Sequence, residues 1–395
     1  MARIEFSANP THLPRHPRPP PPSDRDETQN SSVDYISELP VAIILHIFSF
    51  LTTKDAIKTS VLSKQWRSIW TANPHISFSM PSCDNRTMFR TSMAIVDAVL
   101  LRCTAIKVKS FLFYAPHLYS FIESSHNGWL RSVVRPTIDR WLRFAVEHDI
   151  EEVSMTLRNN NIYAMPQFFF HCTTLVSFHV SRCSFSTMGA VNWFSLKRLR
   201  IDDAKLEDNV IMRVLKGCPV LEFFELKGCW GFEHIKIESR GLRELVIDSP
   251  KFVHDQDSVL KISAPHLLKL RILGNSVKGN FKVEKVSSLI EAELNFIKTY
   301  EISQVQAHCD LVNGLLQSMH HVTKLVMGSW CFQVLSLTEA KGLFLPSLEC
   351  LHLMFPVAVD HEGAPVIAKI LESSPRLEKL ILQMTCTPSF PVNDC

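Results

Sequence analysis

Glycine is scarce in this sequence: the 395-residue chain contains only 12 glycines, whereas globular proteins average about 7%. Enzymes that cradle phosphates or dinucleotides need glycine-rich loops, so this shortage counts against them. The motifs GxGxxG, GxxxxGK[ST], GxSxG and HExxH are also absent from the sequence. We therefore expect the chain not to be an enzyme.

A strong charge bias and a long apolar run are missing as well. The chain has 42 basic and 39 acidic residues, a net charge of +3, and so small a surplus does not indicate a nucleic-acid partner. No stretch reaches about 18 consecutive apolar residues, so no transmembrane helix is predicted. Residues 1–10 lack the apolar core of a secretory signal. We expect no membrane partner and a location in the cytoplasm and/or nucleus.

Metal-ligand spacing is absent too. The 11 cysteines show no CxxC pair, and in a chain without an export signal free buried thiols are favoured over disulfides or metal ligands. His320-His321 and His361-Glu362 are isolated and lack the spacing of metal ligands. We expect no metal and no cofactor.

The chain does contain a proline-rich leader, residues 1–33. Proline occupies seven of its first 22 positions, and residues 23–32 are polar and charged. Such a segment buries too little apolar surface to offset its ordering entropy, so we expect a flexible leader. A proline-motif docking site is the alternative.

A small helical module is predicted over residues 34–79. Leu39-Pro40 opens the first helix, since proline is tolerated in a first turn. Its apolar residues then recur at helical spacing, at Ile43, Ile44, Ile47, Phe48 and Leu51. Residues 52–55 predict a capping box for a second helix, and Ser63 caps a third. Three short helices that are apolar on more than one face favour a docking module, because so small a bundle cannot cover them.

Residues 80–395 repeat one pattern: an apolar residue, two variable positions, an apolar residue, one variable position and an apolar residue. The clearest copies start 21 to 25 residues apart, at Leu175, Leu196, Leu221, Leu242 and Leu267. Later copies are Val322/Leu325/Met327, Leu348/Leu351/Leu353 and Leu377/Leu380/Leu382, and weaker ones start at Val108, Ile150 and Leu289. This is the period of leucine-rich repeats.

The predicted fold class is therefore α/β: a small all-α module followed by a leucine-rich-repeat solenoid. The second and third apolar residues of each copy lie two apart, so both point into the core from one short strand. Stacked repeats place these strands in a parallel sheet on the concave face. Helices on the convex face are predicted around 141–146, 210–215 and 367–371. Such repeats need few tight turns, which explains the shortage of glycine.

Both regions resemble the plant-type F-box/leucine-rich-repeat proteins. The resemblance rests on residues 34–40 (DYISELP), 47–56 (IFSFLTTKDA) and 59–70 (TSVLSKQWRSIW). The repeat segments 141–145 (WLRFA) and 215–222 (LKGCPVLE) are also similar to this family. The sequence departs from the family at two places. Val41-Ala42 stands where an acidic pair is common, and Gln65 replaces a basic residue.

The resemblance implies a substrate-receptor subunit of an SCF-type ubiquitin ligase. The F-box would dock a Skp-family adaptor, which links it to a cullin and a RING protein, while the repeats hold an unidentified protein substrate. The residues expected at the adaptor are Leu39, Pro40, Ile43, Ile44, Ile47, Phe48, Leu51, Val61, Leu62 and Trp66. The alternative for several of them, Val61, Leu62 and Trp66 above all, is packing within the module itself.

The two positions that flank the second apolar residue of each strand are expected to face outward on the concave sheet. They are Ser177/His179, Arg198/Arg200, Phe223/Glu225, Glu244/Val246 and Lys269/Arg271. The eight expected to contact substrate are His179, Arg198, Arg200, Phe223, Glu225, Glu244, Lys269 and Arg271. This mixture of charges with one aromatic favours a protein partner. Two rival functions remain. One is a small-molecule sensor in which Arg198, Arg200, Lys269 and Arg271 clamp an acidic ligand. The other is an adaptor-bound scaffold with no role in degradation.

Overall fold

The computed structural model describes most of the chain. The described residues are 35–80, 86–115, 130–157, 163–185, 189–252, 258–274, 280–296, 305–331, 334–335, 347–355 and 364–382. The leader, residues 1–33, lies outside these ranges. Within them, no helix has both the length and the apolar character needed to cross a membrane.

The N-terminal module contains three short helices. They are α1 (Val41–Phe48), α2 (Thr53–Lys58) and α3 (Trp66–Ile69). The predicted cap of α2 is confirmed, because the Thr52 side chain accepts a hydrogen bond from the Asp55 backbone N–H at 3.2 Å. Helix α3 is only four residues long. Residues 70–72 continue as a 3-10 turn, and Asn73 is extended because a proline follows it.

One parallel sheet of 12 strands runs through the rest of the chain. Each strand pairs with the strand of the next repeat, in the order β1, β2, β3, β5, β7, β8, β11, β14, β16, β17, β18 and β19. The strands are β1 (His75–Ser79), β2 (Ser110–Ala115), β3 (Glu152–Leu157), β5 (Ser177–Ser181), β7 (Arg198–Asp202), β8 (Phe223–Lys227), β11 (Glu244–Asp248), β14 (Lys269–Gly274), β16 (Glu291–Phe296), β17 (Lys324–Met327), β18 (His352–Phe355) and β19 (Lys379–Leu382).

The boundary expected at residue 79 places one strand in the wrong region. Strand β1 pairs along its whole length with β2, from His75 opposite Ser110 to Ser79 opposite Tyr114. The sheet therefore begins at His75, and the helical module ends just before it. Strand formation here follows from the alternation of Ile76 and Phe78, which are both buried.

The repeat template predicts the strands well, with one error of register. Leu199 and Ile201 are buried on β7 as expected, and their equivalents pair across the sheet. At β18, however, the residue that pairs with Leu325 of β17 is Leu353 and not Leu351. Leu353 and Phe355 are the buried pair of that strand. The repeat is therefore Cys350/Leu353/Phe355, two residues later than predicted, because small buried Cys350 fills the first template position.

The second layer is built from helices and strands. The helices are α4 (Arg86–Arg102), α5 (Arg135–Glu147), α6 (Asp208–Gly217), α7 (Val305–Ser318) and α8 (Ala364–Glu372), which confirms the three predicted helical segments. Between α6 and α7 the chain returns as strands β10 (His234–Glu238), β13 (Val259–Ser263) and β15 (Asn280–Glu284), which form a second parallel sheet. This layer is therefore only partly helical, which corrects the expectation of helices alone. The alternating apolar residues of each return segment explain the strands.

Two further pairs of very short strands complete the sheets. Strand β4 (Tyr163–Ala164) pairs with β6 (Cys183–Ser184), and β9 (Trp230–Phe232) pairs with β12 (Lys251–Phe252).

A left-handed turn follows four successive strands of the large sheet. Arg182, Asp203, Gly228 and Ser249 all have φ between 47° and 60°. The backbone N–H of each donates to the last part of the next strand, for example from Asp203 to the Lys227 carbonyl at 2.7 Å. Tight turns are thus present, and three of the four lack glycine. The shortage of glycine reflects tolerance of polar residues in this conformation, and not an absence of turns.

One apolar core runs between the two layers from Ile76 to Ile370. Trp141, Trp193 and Trp330 are among its largest fully buried side chains. The Trp193 indole N–H donates to the Phe169 carbonyl at 2.9 Å, so its one polar atom is satisfied within the core.

Eight cysteines lie in the described part of the chain, and all eight are free thiols. Seven of them are buried. Burial raises the pKa of Cys218 and of Cys229 to about 12. A thiol with such a pKa stays protonated, so these cysteines serve as small core residues and not as nucleophiles.

Candidate adaptor-docking surface and repeat face

The helical module has a small core of its own. Five buried side chains form it: Ile44, Phe48, Ala56, Trp66 and Ile69. The Phe48 and Trp66 rings meet edge to face with centroids 5.6 Å apart. Three residues expected at the adaptor, Ile44, Phe48 and Trp66, therefore lie inside the module. Their expected direct contact is corrected to a supporting role, because a side chain that is at most 4% exposed cannot reach a partner.

The other expected contacts lie at or near the surface. Pro40, Ile43, Val61 and Leu62 are exposed. Val61 is 88% exposed. The half-buried residues of the set are Leu39, Ile47 and Leu51. Packing within the module, the alternative for Val61 and Leu62, does not describe side chains with this exposure. These seven residues remain a prediction for adaptor contact.

Four more exposed apolar side chains belong to the same module and were not predicted. They are Tyr35, Ile36, Val41 and Phe50. Tyr35 and Ile36 precede α1, so helical periodicity does not reveal them. Phe50 follows α1 and is 77% exposed, although the sequence places it within an apolar run. Together with Pro40, Ile43, Val61 and Leu62, these residues form what we call the docking surface.

Two long-range hydrogen bonds fix the segment that leads into α1. The Trp66 indole N–H donates to the Ile36 carbonyl at 3.1 Å. The Gln65 amide donates to the Leu39 carbonyl at the same distance. Gln65 is one of the departures from the family, and here it anchors the backbone beside the docking surface. Helix α1 has no acidic residue in its first turn, so its end is held by packing and these bonds.

The module is fastened to the first strand of the sheet. The Thr53 hydroxyl is buried and accepts a hydrogen bond from the Ser77 backbone N–H at 2.8 Å. The Thr104 backbone N–H donates to the Thr71 carbonyl at 2.7 Å, and Trp70 packs against the core of the solenoid. Strand β1 is an edge strand, so the module covers backbone groups that would otherwise be open to pairing.

The concave face of the sheet carries paired charges at its centre. Register places Arg200 opposite Glu225, and their side chains form an ion pair at 2.6 Å. Arg271 and Glu293 form another at 2.6 Å. Lys269 contacts Glu291 at 3.5 Å, and Lys324 also bonds to Glu291. A basic side chain in one repeat therefore meets an acidic one in the next.

Several residues expected to hold substrate thus have partners within the sheet. The Arg198 guanidinium lies 4.8 Å from the centroid of the Phe223 ring. His179 bonds to Asp202 at 2.8 Å and to the Ser154 hydroxyl at 3.1 Å. The hydrogen bond that Arg271 donates to Glu293 is the main cause that raises the pKa of this guanidinium, and the nearby charge of Glu244 adds to it.

Two expectations for this face need correction. Val246 does not face solvent, because it is only 3% exposed. The four basic residues do not form a clamp for an acidic ligand either. Arg200, Lys269 and Arg271 are neutralised by glutamates, which leaves Arg198 stacked on an aromatic ring. The eight expected substrate contacts, which do not include Val246, remain a prediction.

The fold and these two surfaces define a class of protein: an F-box joined to a leucine-rich-repeat solenoid. Family models agree with this division. The F-box domain model matches residues 36–76, and the model for the leucine-rich repeats of the FBD-associated F-box protein At5g56370 matches residues 138–294.

Curated relatives from Arabidopsis thaliana extend the likeness over most of the chain. F-box/LRR-repeat protein At5g02910 is 30% identical over 89% of this chain and 72% of its own length. F-box/LRR-repeat protein At3g03360 is 30% identical over 91% of this chain and 72% of its own length. F-box protein At5g03100 is 31% identical over 80% of this chain and 95% of its own length. The chain belongs to the F-box/LRR-repeat family.

Membership sets the general role of each region. An F-box is in general a module that binds a Skp-like adaptor, and proteins of this family are typically non-catalytic. The combination of an F-box with repeats supports a substrate-adaptor role for the chain.

Proposed function

We propose that the chain is a non-catalytic substrate receptor of an SCF-type ubiquitin ligase. The F-box docks a Skp-family adaptor, which connects the chain to a cullin and a RING protein. The repeats hold a protein substrate for ubiquitination, in the cytoplasm and/or nucleus. The chain contributes no reacting group. It acts by positioning the substrate at high local concentration beside the ligase.

The exposed docking surface carries this proposal. Val61, Phe50 and Tyr35 are each at least 75% exposed on a module of about 40 residues. Large apolar side chains gathered on so small a module are typical of an interaction surface. The buried Phe48 and Trp66 hold the backbone beneath them. Aromatic and aliphatic anchors of this type contribute most of the free energy of binding in protein interfaces.

Charge pairing on the concave face bears on the choice between rival functions. A receptor for an acidic small molecule needs basic side chains that are free to meet it. Arg200 and Arg271 are already bonded to glutamates of the neighbouring repeat. A protein substrate that contacts many repeats at once is therefore the better match to this face.

The test is affinity purification of the tagged full chain from cells treated with a proteasome inhibitor. The wild type is expected to recover the adaptor, the cullin and ubiquitin-conjugated proteins. The double variant Leu39→Ala with Pro40→Ala is expected to lose all three while its repeats stay folded. Full recovery of adaptor and cullin by a folded double variant would contradict the proposal. Recovery of both by the wild type without any ubiquitin-conjugated protein would favour a scaffold instead.

A further inference from the structure

The concave face changes character where it approaches the F-box. Register places Ser77, Leu112 and Ser154 side by side on β1, β2 and β3. The next outward row holds Ser79, Tyr114 and Thr156. These six residues, which we call the neutral patch, include no charged side chain.

Two members of the neutral patch present apolar surface. Leu112 is 41% exposed and Tyr114 is 43% exposed. They lie two residues apart on β2, so both project from the same face of one strand. Hydroxyl groups of serine and threonine stand beside them on β1 and β3. This combination offers an apolar contact in the middle and hydrogen-bonding groups at both sides.

Charged neighbours mark the limits of the neutral patch. Among the described residues of adjacent rows and strands, Glu152 lies at one end of β3, and His179 on β5 hydrogen-bonds to Asp202 on β7. Further along the sheet, Arg200 pairs with Glu225 and Arg271 pairs with Glu293. The part of the concave face that carries ion pairs and the neutral patch are therefore suited to partners of different chemistry.

We propose that the neutral patch binds an uncharged, extended segment of the substrate that carries an aliphatic or aromatic anchor. A charged segment would lose hydration there without gaining a counter-charge. An apolar anchor would instead cover Leu112 and Tyr114, and its backbone would meet the hydroxyl groups. This inference rests on the proposed function, because it names the chemistry of the substrate segment that the repeats recognise.

The neutral patch lies close to the F-box. Strand β1 carries Ser77 and Ser79 and is the strand that Thr53 of the F-box fastens. A segment held on β1 to β3 lies at the end of the solenoid nearest the F-box. It therefore lies at the end of the chain that the adaptor would occupy.

The experiment selects randomised short peptides displayed on phage against the full chain. The chain is immobilised through a terminal tag, so selection does not depend on adaptor binding. We expect enrichment of uncharged peptides with an aliphatic or aromatic residue. Their affinity should fall at least about ten-fold in the variant Leu112→Ser with Tyr114→Ser, as for loss of a central anchor. The matched control, Leu101→Ser with Met212→Ser, removes two exposed apolar side chains from helices α4 and α6 and should bind as the wild type does.

A second variant distinguishes loss of peptide binding from unfolding of the neutral patch. Leu112→Lys adds one charge at an exposed position, and selection against it should enrich acidic peptides instead. Thermal unfolding of every variant establishes that the sheet is intact. Enrichment of charged peptides by the wild type, no enrichment at all, or unchanged affinity in the folded serine variant would each overturn the proposal. Adaptor binding, measured on the same samples, reports separately on the proposed function.

Discussion

The F-box and the solenoid differ in how much of their apolar surface they bury. Seven of the 19 exposed large apolar side chains in the described residues lie between Tyr35 and Leu62. The apolar core of the F-box has only five buried residues. The solenoid, in contrast, buries one continuous core from Ile76 to Ile370. Apolar residues therefore form a docking surface in the F-box and a continuous core in the solenoid.

The difference follows from size and connectivity. A bundle of about 40 residues is near the lower limit for an independent domain, so part of its apolar surface stays exposed until a partner covers it. Each repeat of a solenoid only needs its neighbours, so its core grows with every repeat. Stability of the solenoid should thus depend on buried residues, and binding by the F-box on exposed ones.

Loss of a large core residue of the solenoid should have the largest effect on stability. Trp193→Ala removes a fully buried indole and its hydrogen bond to the Phe169 carbonyl. We expect the free energy of unfolding to fall by about 4–5 kcal/mol, measured by urea denaturation. The adjacent Phe194 is 53% exposed and supplies the control. Phe194→Ala should cost less than about 1 kcal/mol, and equal losses would contradict the burial pattern.

The matching substitution in the F-box should act locally. Phe48→Ala removes the ring that meets Trp66 and should destabilise the F-box by about 3 kcal/mol. Hydrogen exchange should show loss of protection over residues 41–72 while the strands from β7 to β14 keep theirs. Added adaptor should restore part of the protection, because it binds only the folded F-box.

Phe50→Ala is the control for that experiment, since Phe50 is 77% exposed. Protection from hydrogen exchange in the F-box of the Phe50→Ala variant should match that of the wild type. Loss of protection across the whole solenoid in the Phe48 variant would mean that the two regions unfold as one unit.

The junction between the regions should depend on one hydroxyl group. Thr53→Val keeps the shape of the side chain and removes the acceptor for the Ser77 N–H. A buried N–H left without a partner should cost about 1–2 kcal/mol. Thermal unfolding and hydrogen exchange of β1 measure the effect. The control is Thr71→Val, whose exposed hydroxyl bonds to Thr104 and the Ser68 carbonyl. An effect as large as that of Thr53→Val would argue against a special role for the buried contact.

The smallest effect is expected from loss of one carboxylate, that of Glu291, on the concave face. The hydrogen bond from Lys324 holds the pKa of Glu291 below its ordinary value of 4.5. A lowered pKa contributes stability above the unfolded pKa, and this contribution is lost as the pH falls through the folded pKa. Glu291→Gln should therefore cost about 0.5 kcal/mol at neutral pH. The difference from the wild type should shrink as the pH falls below 4.5 and vanish below the folded pKa, and a difference that grows in acid would contradict the assignment.

Most of the fold was predictable because the repeat template records burial directly. The pairs Leu199/Ile201 and Leu270/Ile272 alternate on short strands, and spacing alone locates them. The one error of register arose where Cys350 replaces an aliphatic residue. The second sheet was missed although residues 234–238 (HIKIE) alternate clearly. The repeat template describes only the strands of the concave face, so it does not reveal strands on the opposite face.

The surfaces were predictable only in part. Helical spacing identifies apolar residues of α1, but it does not separate buried Ile44 from exposed Ile43. That distinction depends on where Trp66 packs, 22 residues later in the sequence. Ion pairs such as Arg200 with Glu225 join residues 25 apart. The repeat template places the two residues on neighbouring strands, but it does not record which side chains bond to each other.

The most direct test of the contrast is adaptor binding by two variants of equal exposure. Val61 in the F-box is 88% exposed, and Leu101 on α4 of the solenoid is 87% exposed. Calorimetric titration of the purified chain with a recombinant Skp-family adaptor compares Val61→Asp with Leu101→Asp. Neither change should alter thermal unfolding. The Val61 variant is expected to bind at least about 100-fold more weakly, and the Leu101 variant as tightly as the wild type. Equal binding by the two variants would contradict the account that the F-box surface is the docking site.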